Sequence, residues 1–264
     1  MSMTLTFLGT CSGTEPMPGR HHCSFTVEHD GGLYWFDAGE CCSYTAHLAG
    51  LDLPATQAVF ISHTHMDHIG GLPNLLWTLR KLTTISKPSA ERLAGRTIPV
   101  VIPRLDVWDG ILAVLAGTEG GFRTDFKLQP ERARDGIAFD RNGFRVTALH
   151  NLHLGVPDDG ASWESYSFRI DAGGRSVVFS GDVRGLADFA ALIPGCDLLL
   201  METGHHGVAN VCRELRDSGM TFGRLGFTHH GREILDDPQA ALAAAQAVLG
   251  DHVFIADDGM QVHL

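Results

Sequence analysis

From Ala58 to Gly71 the chain reads Ala-Val-Phe-Ile-Ser-His-Thr-His-Met-Asp-His-Ile-Gly-Gly. An apolar run of strand character, Ala58 to Ile61, passes straight into a turn that carries His63, His65, Asp67 and His68. Gly-Gly and a helical pattern follow. Such a turn aims several neutral nitrogens and one carboxylate at a single small volume, which is what a divalent transition ion requires. The alternative, a solvated histidine-rich loop, leaves the placement at a strand end without a reason. The fold must therefore end an apolar strand at a polar edge where other chain segments can complete the set.

The rest of the chain alternates short β-like runs with amphipathic helical stretches, with no fixed short repeat and no low-complexity segment. Strands are expected at Leu5 to Leu8, Ser24 to Glu28, Leu33 to Asp37, Ala58 to Ser62, Ile98 to Ile102, Phe144 to Leu149, Ser165 to Ile170, Ser176 to Ser180, Leu198 to Met201, Arg224 to Thr228 and His252 to Ala256. Helices are expected at Cys41 to Ala49, Leu72 to Leu82, Leu105 to Ala116, Leu186 to Leu192, His206 to Ser218 and Pro238 to Leu249, the last capped by Asp236 or Asp237. Two strand sets, each interleaved with helices, predict an α/β fold: a four-layer αββα sandwich of two mixed β-sheets, one domain over residues 1–264. Residues 82–141 are the least legible and read as a mobile loop or a helical insertion.

Composition narrows the function. Net charge is −11, which argues against indiscriminate nucleic-acid binding because a polyphosphate calls for a cationic surface. The six cysteines form no CxxC pair and no disulfide framework, so they read as reduced thiols. No apolar run reaches the roughly 18 to 20 residues of a membrane span. Met1 to Thr10 carries no secretory pattern, and a cytoplasmic location is expected. The fifteen histidines, several in tight groups, point to metal.

HxHxDH after a hydrophobic strand resembles the metallo-β-lactamase superfamily. Leu8-Gly9-Thr10-Cys11-Ser12-Gly13 with Pro16, Pro18 and Arg20, then Tyr34-Trp35-Phe36-Asp37-Ala38-Gly39-Glu40, and Gly70-Gly71-Leu72-Pro73 resemble the ribonuclease Z and cyclic-phosphate phosphodiesterase branch. His65 stands where the flavodiiron oxidoreductases of the same superfamily carry Glu. The resemblance implies two divalent metal ions per chain, zinc first and Mn, Fe, Co or Ni also suited. One would be held by His63, His65 and His153, the other by Asp67, His68 and His229, with Asp182 bridging. His150 rivals His153, and His230 rivals His229. A shared water would be ionised between the cations and serve as nucleophile. His206, or its neighbour His205, is the implied general acid, supported by Glu202 at the end of Leu198 to Met201. Asp67 anchors the nucleophile. Asp37 is expected to fix a ligand histidine's tautomer, or else to be a structural strand-end residue.

The expected activity is hydrolysis of a phosphodiester by a metal-dependent enzyme. Too few residues lie between His153 and Asp182 for the long arm with which many tRNA-processing members hold their substrate. A small phosphodiester or nucleotide-like substrate is therefore expected, RNA is disfavoured, no membrane partner is expected, and a homodimer is compatible. The alternatives are a thioesterase or lactonase of the glyoxalase II type, a tRNA 3′-end endonuclease, and an inactive metal-binding sensor. Arg20, Arg184 and Arg232 are candidate phosphate contacts.

Overall fold

The computed structural model describes residues 2–118 and 120–264. Fourteen strands among the described residues form two seven-stranded mixed sheets. The first comprises β1 (Met3–Gly9), β2 (Ser24–His29), β3 (Gly32–Phe36), β4 (Thr56–Phe60), β5 (Thr97–Ile102), β6 (Lys127–Arg132) and β14 (Gln261–His263), in the order β14-β1-β2-β3-β4-β5-β6. The second comprises β7 (Gly136–Arg141), β8 (Phe144–His150), β9 (Tyr166–Ala172), β10 (Arg175–Phe179), β11 (Cys196–Thr203), β12 (Phe222–His230) and β13 (Val253–Ile255), in the order β13-β12-β11-β10-β9-β8-β7. Each sheet is antiparallel on one side, through β14-β1-β2-β3 or β7-β8-β9-β10, and parallel on the other.

Local chemistry explains both halves. The hairpins turn at Asp30-Gly31, Asn142-Gly143 and Gly173-Gly174, and the residues of all three pairs sit at positive φ, as two-residue turns matching the strand twist require. The parallel strands need crossovers, and these carry helices on the outer faces: α1 (Cys42–Leu48) before β4, α3 (Leu72–Ile85) and α4 (Lys87–Leu93) before β5, α5 (Leu105–Thr118) before β6, α6 (Val208–Ser218) before β12, and α7 (Arg232–Asp236) and α8 (Pro238–Leu249) before β13. Strands covered on both sides read as continuous apolar runs. In β3, Tyr34 and Phe36 enter the core between the sheets while Leu33 and Trp35 pack under helices. In β11, Leu198 and Leu200 face inward, and Leu199 and Met201 face outward. An aromatic ladder joins the sheets: Phe25 stacks on Phe36 at 5.0 Å, Phe36 on Phe60 at 5.0 Å, and Phe179 meets Phe25 edge-on at 5.1 Å. The αββα sandwich expected from the sequence is what forms.

Three expectations change. Leu186 to Leu192 is two short 3-10 turns, Leu186–Asp188 and Ala190–Leu192, because the backbone leaves the helical region at Phe189 (φ −127°, ψ 14°) between them; the Asp188 carboxylate accepts from the backbone N–H groups of Arg184 and Leu152. Residues 82–141 supply regular elements of both sheets and the first outer layer, α4 to β7, rather than an inserted loop; Glu119 lies outside the described residues. The helix expected from His206 starts at Val208, whose N–H donates to Glu233 Oε2, so His205 and His206 precede it in a turn. Among the described residues no helix is long and apolar enough to cross a membrane.

At one edge of the sandwich the ends of β1, β4, β9 and β12 are stitched across the two sheets. Tyr166 N–H donates to the carbonyl of Ser62 at 3.0 Å, and His230 N–H donates to the carbonyl of Thr10 at 2.7 Å. The candidate metal ligands lie at this edge, on strand ends, loops and the short helix that follows β4.

Candidate metal centre

The turn after β4 presents His63, then a one-turn helix, α2 (Met66–Ile69), opens at Met66 and carries Asp67 and His68. Helical backbone turns Asp67 and His68 toward the end of β12. Asp67 Oδ2 lies 3.1 Å from His229 Nε2 and 3.4 Å from His68 Nε2, and the two Nε2 atoms are 3.1 Å apart. His153, in the loop after β8, brings Nε2 to 3.4 Å from His65 Nδ1, and with His63 these form a second triad.

Asp182 stands between the triads. Its Oδ1 is 3.4 Å from His68 Nε2 and 3.3 Å from His229 Nε2. Its Oδ2 is 3.8 Å from His63 Nε2 and 3.7 Å from His153 Nε2. Gly181 makes this placement possible: it sits at φ 57°, and a Cβ there would come within 2.8 Å of the Tyr166 carbonyl oxygen. The seven residues that the sequence singles out as ligands thus meet in one volume.

Hydrogen bonds behind the cluster set the tautomers. Asp37, fully buried, accepts from Ser62 N–H at 2.7 Å, Ser62 Oγ at 2.8 Å and His68 Nδ1 at 2.7 Å. A carboxylate only accepts, so His68 Nδ1 carries a proton, and Nε2, facing Asp182, is the atom left to ligate a cation. Ser62 gives its one proton to Asp37 and therefore accepts from His63 Nδ1 at 3.1 Å. His63 Nε2 is left buried without a hydrogen-bond partner, as is Asp182 Oδ1. Buried orphans of this kind call for an explanation, and a cation supplies one. Four ligand atoms at about 2.0 to 2.1 Å around a tetrahedral ion stand about 3.3 Å apart. Asp67 Oδ2, His68 Nε2, His229 Nε2 and Asp182 Oδ1 show that spacing, with contacts of 3.1 to 3.4 Å.

The electrostatics agree. Burial pulls the His68 imidazole down, but Asp182 and Asp37 outweigh it and hold the ring well above the ordinary histidine range. His229 meets the same penalty and is pushed up to about 9 by Asp182 and Asp67. His63 goes the other way, held well below its usual value by burial and by the adjacent His68. Burial opposes ionisation of Asp182, yet His229 and His68 keep its carboxyl well below the carboxylate range. Positive charge is favoured at the Asp67, His68 and His229 triad, and the donor set of imidazole and carboxylate fits a divalent ion.

Glu202, at the end of β11, is fully buried. Its Oε1 is 3.0 Å from His205 Nδ1, its Oε2 accepts from His205 N–H at 2.9 Å, and Oε2 lies 3.8 Å from His229 Nδ1. Burial pushes Glu202 up, but His205 and His229 bring it down to about 2. His205 is half-exposed, 3.9 Å from Asp182 Oδ2, and the Glu202 contact raises its pKa. His206 is turned aside: its Nε2 donates to the Val183 carbonyl at 3.0 Å and is 3.4 Å from Glu202. The two histidines and Arg184 line a cleft of about 410 Å³ that opens beside His153.

The two rival ligands have other partners. His150 Nδ1 is 2.7 Å from Asp135 Oδ2 and its ring stacks on Trp163 at 3.8 Å, a clasp at the base of the loop that carries His153. His230, fully buried, donates from Nε2 to the Ala256 carbonyl at 2.7 Å. Of the three arginines, Arg20 is bound to Thr10 and Asp257, and Arg232 to Glu15 and Thr14; Arg184 alone lines the cleft. Sequence reasoning missed the parts played by Ser62, Asp135 and Asp188. Ser62 lies inside the motif and was open to inference from its neighbours; nothing local marks the two aspartates.

The family model described as a beta-lactamase superfamily domain matches residues 42–248. Among curated relatives, a ribonuclease Z of Salinibacter ruber is 30% identical over 270 residues, covering 83% of this chain and 82% of that protein. A ribonuclease Z of Haloferax volcanii is 25% identical over 320 positions, covering 100% of this chain and 96% of the relative, which therefore carries insertions that this chain lacks. The solved structure of the metallo-beta-lactamase fold protein YhfI from Bacillus subtilis superposes with a TM-score of 0.75 at 19% identity, each chain covered in full. With its fold, its convergent histidines and aspartates and these likenesses, the chain belongs to the metallo-β-lactamase superfamily of metal-dependent hydrolases.

Proposed function

We propose that this protein is a dinuclear phosphodiesterase that hydrolyses a small, nucleotide-like diester, with zinc as its first-choice metal and Mn, Fe, Co or Ni also suited to the ligands. The observation that carries the reading is the division of Asp182, one carboxylate oxygen toward each triad. His63, His65 and His153 would hold one ion, Asp67, His68 and His229 the other, and Asp182 both. Bound there, the ions would activate water and neutralise charge on the oxygens of the displacement. The chain's own residues do the rest. Asp37 and Ser62 lock the His68 and His63 rings with Nε2 toward the centre. Asp67 accepts a hydrogen bond from a group seated at the second triad, where, against the effect of burial, His229 and His68 hold its carboxyl well below the carboxylate range.

His205, rather than the expected His206, is placed to donate a proton to the leaving oxygen. The Glu202 contact raises its pKa and so favours its protonated form, and its ring reaches both the centre and the cleft, whereas His206 is spent on a backbone carbonyl. A small substrate suits the cleft volume and the chain's lack of the insertions of its longer relative. The free cysteines fit a cytoplasmic setting, and the whole chain is read as one domain.

The test is turnover of bis(p-nitrophenyl) phosphate by purified protein, with loss on chelation and recovery on adding zinc or manganese. No turnover with any of the five metals overturns the reading. Its relatives' name favours a second reading, cleavage at an RNA 3′ end, so a precursor tRNA is assayed alongside. Faster cleavage of that RNA than of any small diester would establish the second reading over the first.

A further inference from the structure

His153 and Asp182 reach the centre from two loops that leave different strands. One loop follows β8, which ends at His150, and the other follows β10, which ends at Phe179. The two side chains come within 3.7 Å, Nε2 to Oδ2, so the spacing of the loops decides whether both can touch one ion. The second triad has firmer carriers: Asp67 and His68 lie in α2, and His229 lies in β12.

One side chain outside the ligand set joins the two loops. Asp188 Oδ2 accepts from Leu152 N–H at 3.0 Å, next to His153, and from Arg184 N–H at 2.8 Å, just beyond Asp182. Leu186 and Phe189, both buried in the outer core of the second sheet, make the 3-10 turn that carries Asp188 a fixed post. The His153 loop adds little packing of its own, since Leu154 and Val156 are exposed. Its neighbouring N–H groups stay closer to home: Asn151 N–H donates to the Ser165 carbonyl at 3.0 Å, and His153 N–H to Asn151 Oδ1 at 3.2 Å. The Asp182 loop has further ties, because Val183 N–H donates to Glu202 Oε1 at 3.4 Å and the Val183 carbonyl accepts from His206 Nε2 at 3.0 Å. Cutting the bridge at Asp188 therefore releases His153 and leaves Asp182 in place. Both N–H groups use the same oxygen, whose two lone pairs suffice for them, so the contact needs neither the second oxygen nor the charge.

We propose that Asp188 is a positioning residue for the first metal ion: it sets the His153 loop against the Asp182 loop, so that its loss weakens the ion at His63, His65 and His153 and spares the one at Asp67, His68 and His229. This rests on the two-ion part of the reading above and on nothing about the substrate.

Zinc titration against a chromophoric chelator tests it, with metal content measured after buffer exchange. The wild type fills in two steps, and His153→Ala, which lacks a ligand, marks the step that belongs to the first triad. Outer contacts of this kind predict that Asp188→Ala weakens that step about 10- to 100-fold and leaves the other within about twofold. Asp188→Asn keeps one oxygen for both N–H groups and stays within about threefold of wild type at both steps. Asp188→Ser, whose hydroxyl falls short of both groups, repeats the alanine loss, and thermal denaturation of the metal-free proteins checks that each variant is folded. Equal weakening of both steps, an unshifted Asp188→Ala and Asp188→Ser, or an Asp188→Asn as weak as they are overturns the proposal. A selective shift in a protein that hydrolyses no diester refutes the hydrolysis reading alone. An active two-ion wild type whose steps ignore Asp188 refutes the positioning role alone, and a wild type that takes up a single ion overturns the two-ion reading and this inference with it.

Discussion

Asp37→Asn probes the link between the second motif and the centre. The wild-type carboxylate accepts three hydrogen bonds in a fully buried site, from Ser62 N–H, Ser62 Oγ and His68 Nδ1. Asparagine preserves the shape, and it tolerates the left-handed backbone at φ 56° better than most residues. It has one acceptor oxygen in place of two, so it cannot satisfy both Ser62 and His68, and its NH₂ must face a group that was donating. The His68 ring then loses its fixed tautomer. Outer hydrogen bonds of this kind are worth about 10- to 100-fold in metal affinity, or about 1.4 to 2.7 kcal/mol. Asp37→Ala is the poorer probe: three buried donors lose their acceptor at about 1 to 3 kcal/mol each, a large share of a typical total stability of about 5 to 15 kcal/mol. The assay is competition for zinc against a chromophoric chelator, with thermal denaturation alongside. A folded Asp37→Asn protein that binds zinc within about twofold of wild type would refute the tautomer argument.

His205→Ala should lower kcat about 100-fold on diesters with poor leaving groups and much less on nitrophenyl esters, while His206→Ala changes that contrast little; the reverse pattern returns the acid role to His206. His230 is buried neutral, with burial pulling its pKa down to about 3. The unfolded chain binds its proton near pH 6.5 and the folded chain only near 3, so this residue's contribution to stability is intact above about pH 6.5 and is lost progressively between about 6.5 and 3. Each unit corresponds to about 1.4 kcal/mol, and His230→Gln, which keeps a donor for the Ala256 carbonyl, should flatten that acid limb in urea titrations at stepped pH; an unchanged slope contradicts the assignment. A Cβ on Gly71 would overlap the Gly39 carbonyl where the loop after β3 meets α3, so Gly71→Ala should cost about 1 to 3 kcal/mol in chemical denaturation, and a neutral result would show that the loop yields.

Much of this molecule is written in local sequence. Pro238 and Asp237 set the start of α8, and the Asp237 side chain accepts from Ala240 N–H as a cap. The apolar runs covered on both faces stand out as strands because both faces are buried. β6, β7 and β14 escaped reading for the opposite reason: they are edge strands with alternating or exposed polar residues, and β6 and β14 are held by pairing with neighbours distant in sequence. Asn142-Gly143 was nevertheless a hairpin signal that could have found β7.

The sequence by itself determined which chemistry gathers at the site, since a strand end and the turn after it place His63, His65, Asp67 and His68 by short-range geometry, while Asp182 reaches them from the other sheet. Tertiary structure decided among neighbours. His229 takes a left-handed backbone at φ 50°, which sends it to Asp67 while His230 turns to the Ala256 carbonyl. Asp135 claims His150, and Val183 claims His206, leaving His153 and His205 at the centre. Adjacent residues share nearly the same sequence context, so what separates them is the partner each meets from elsewhere in the chain, and that partner exists only once the two sheets have closed on one another.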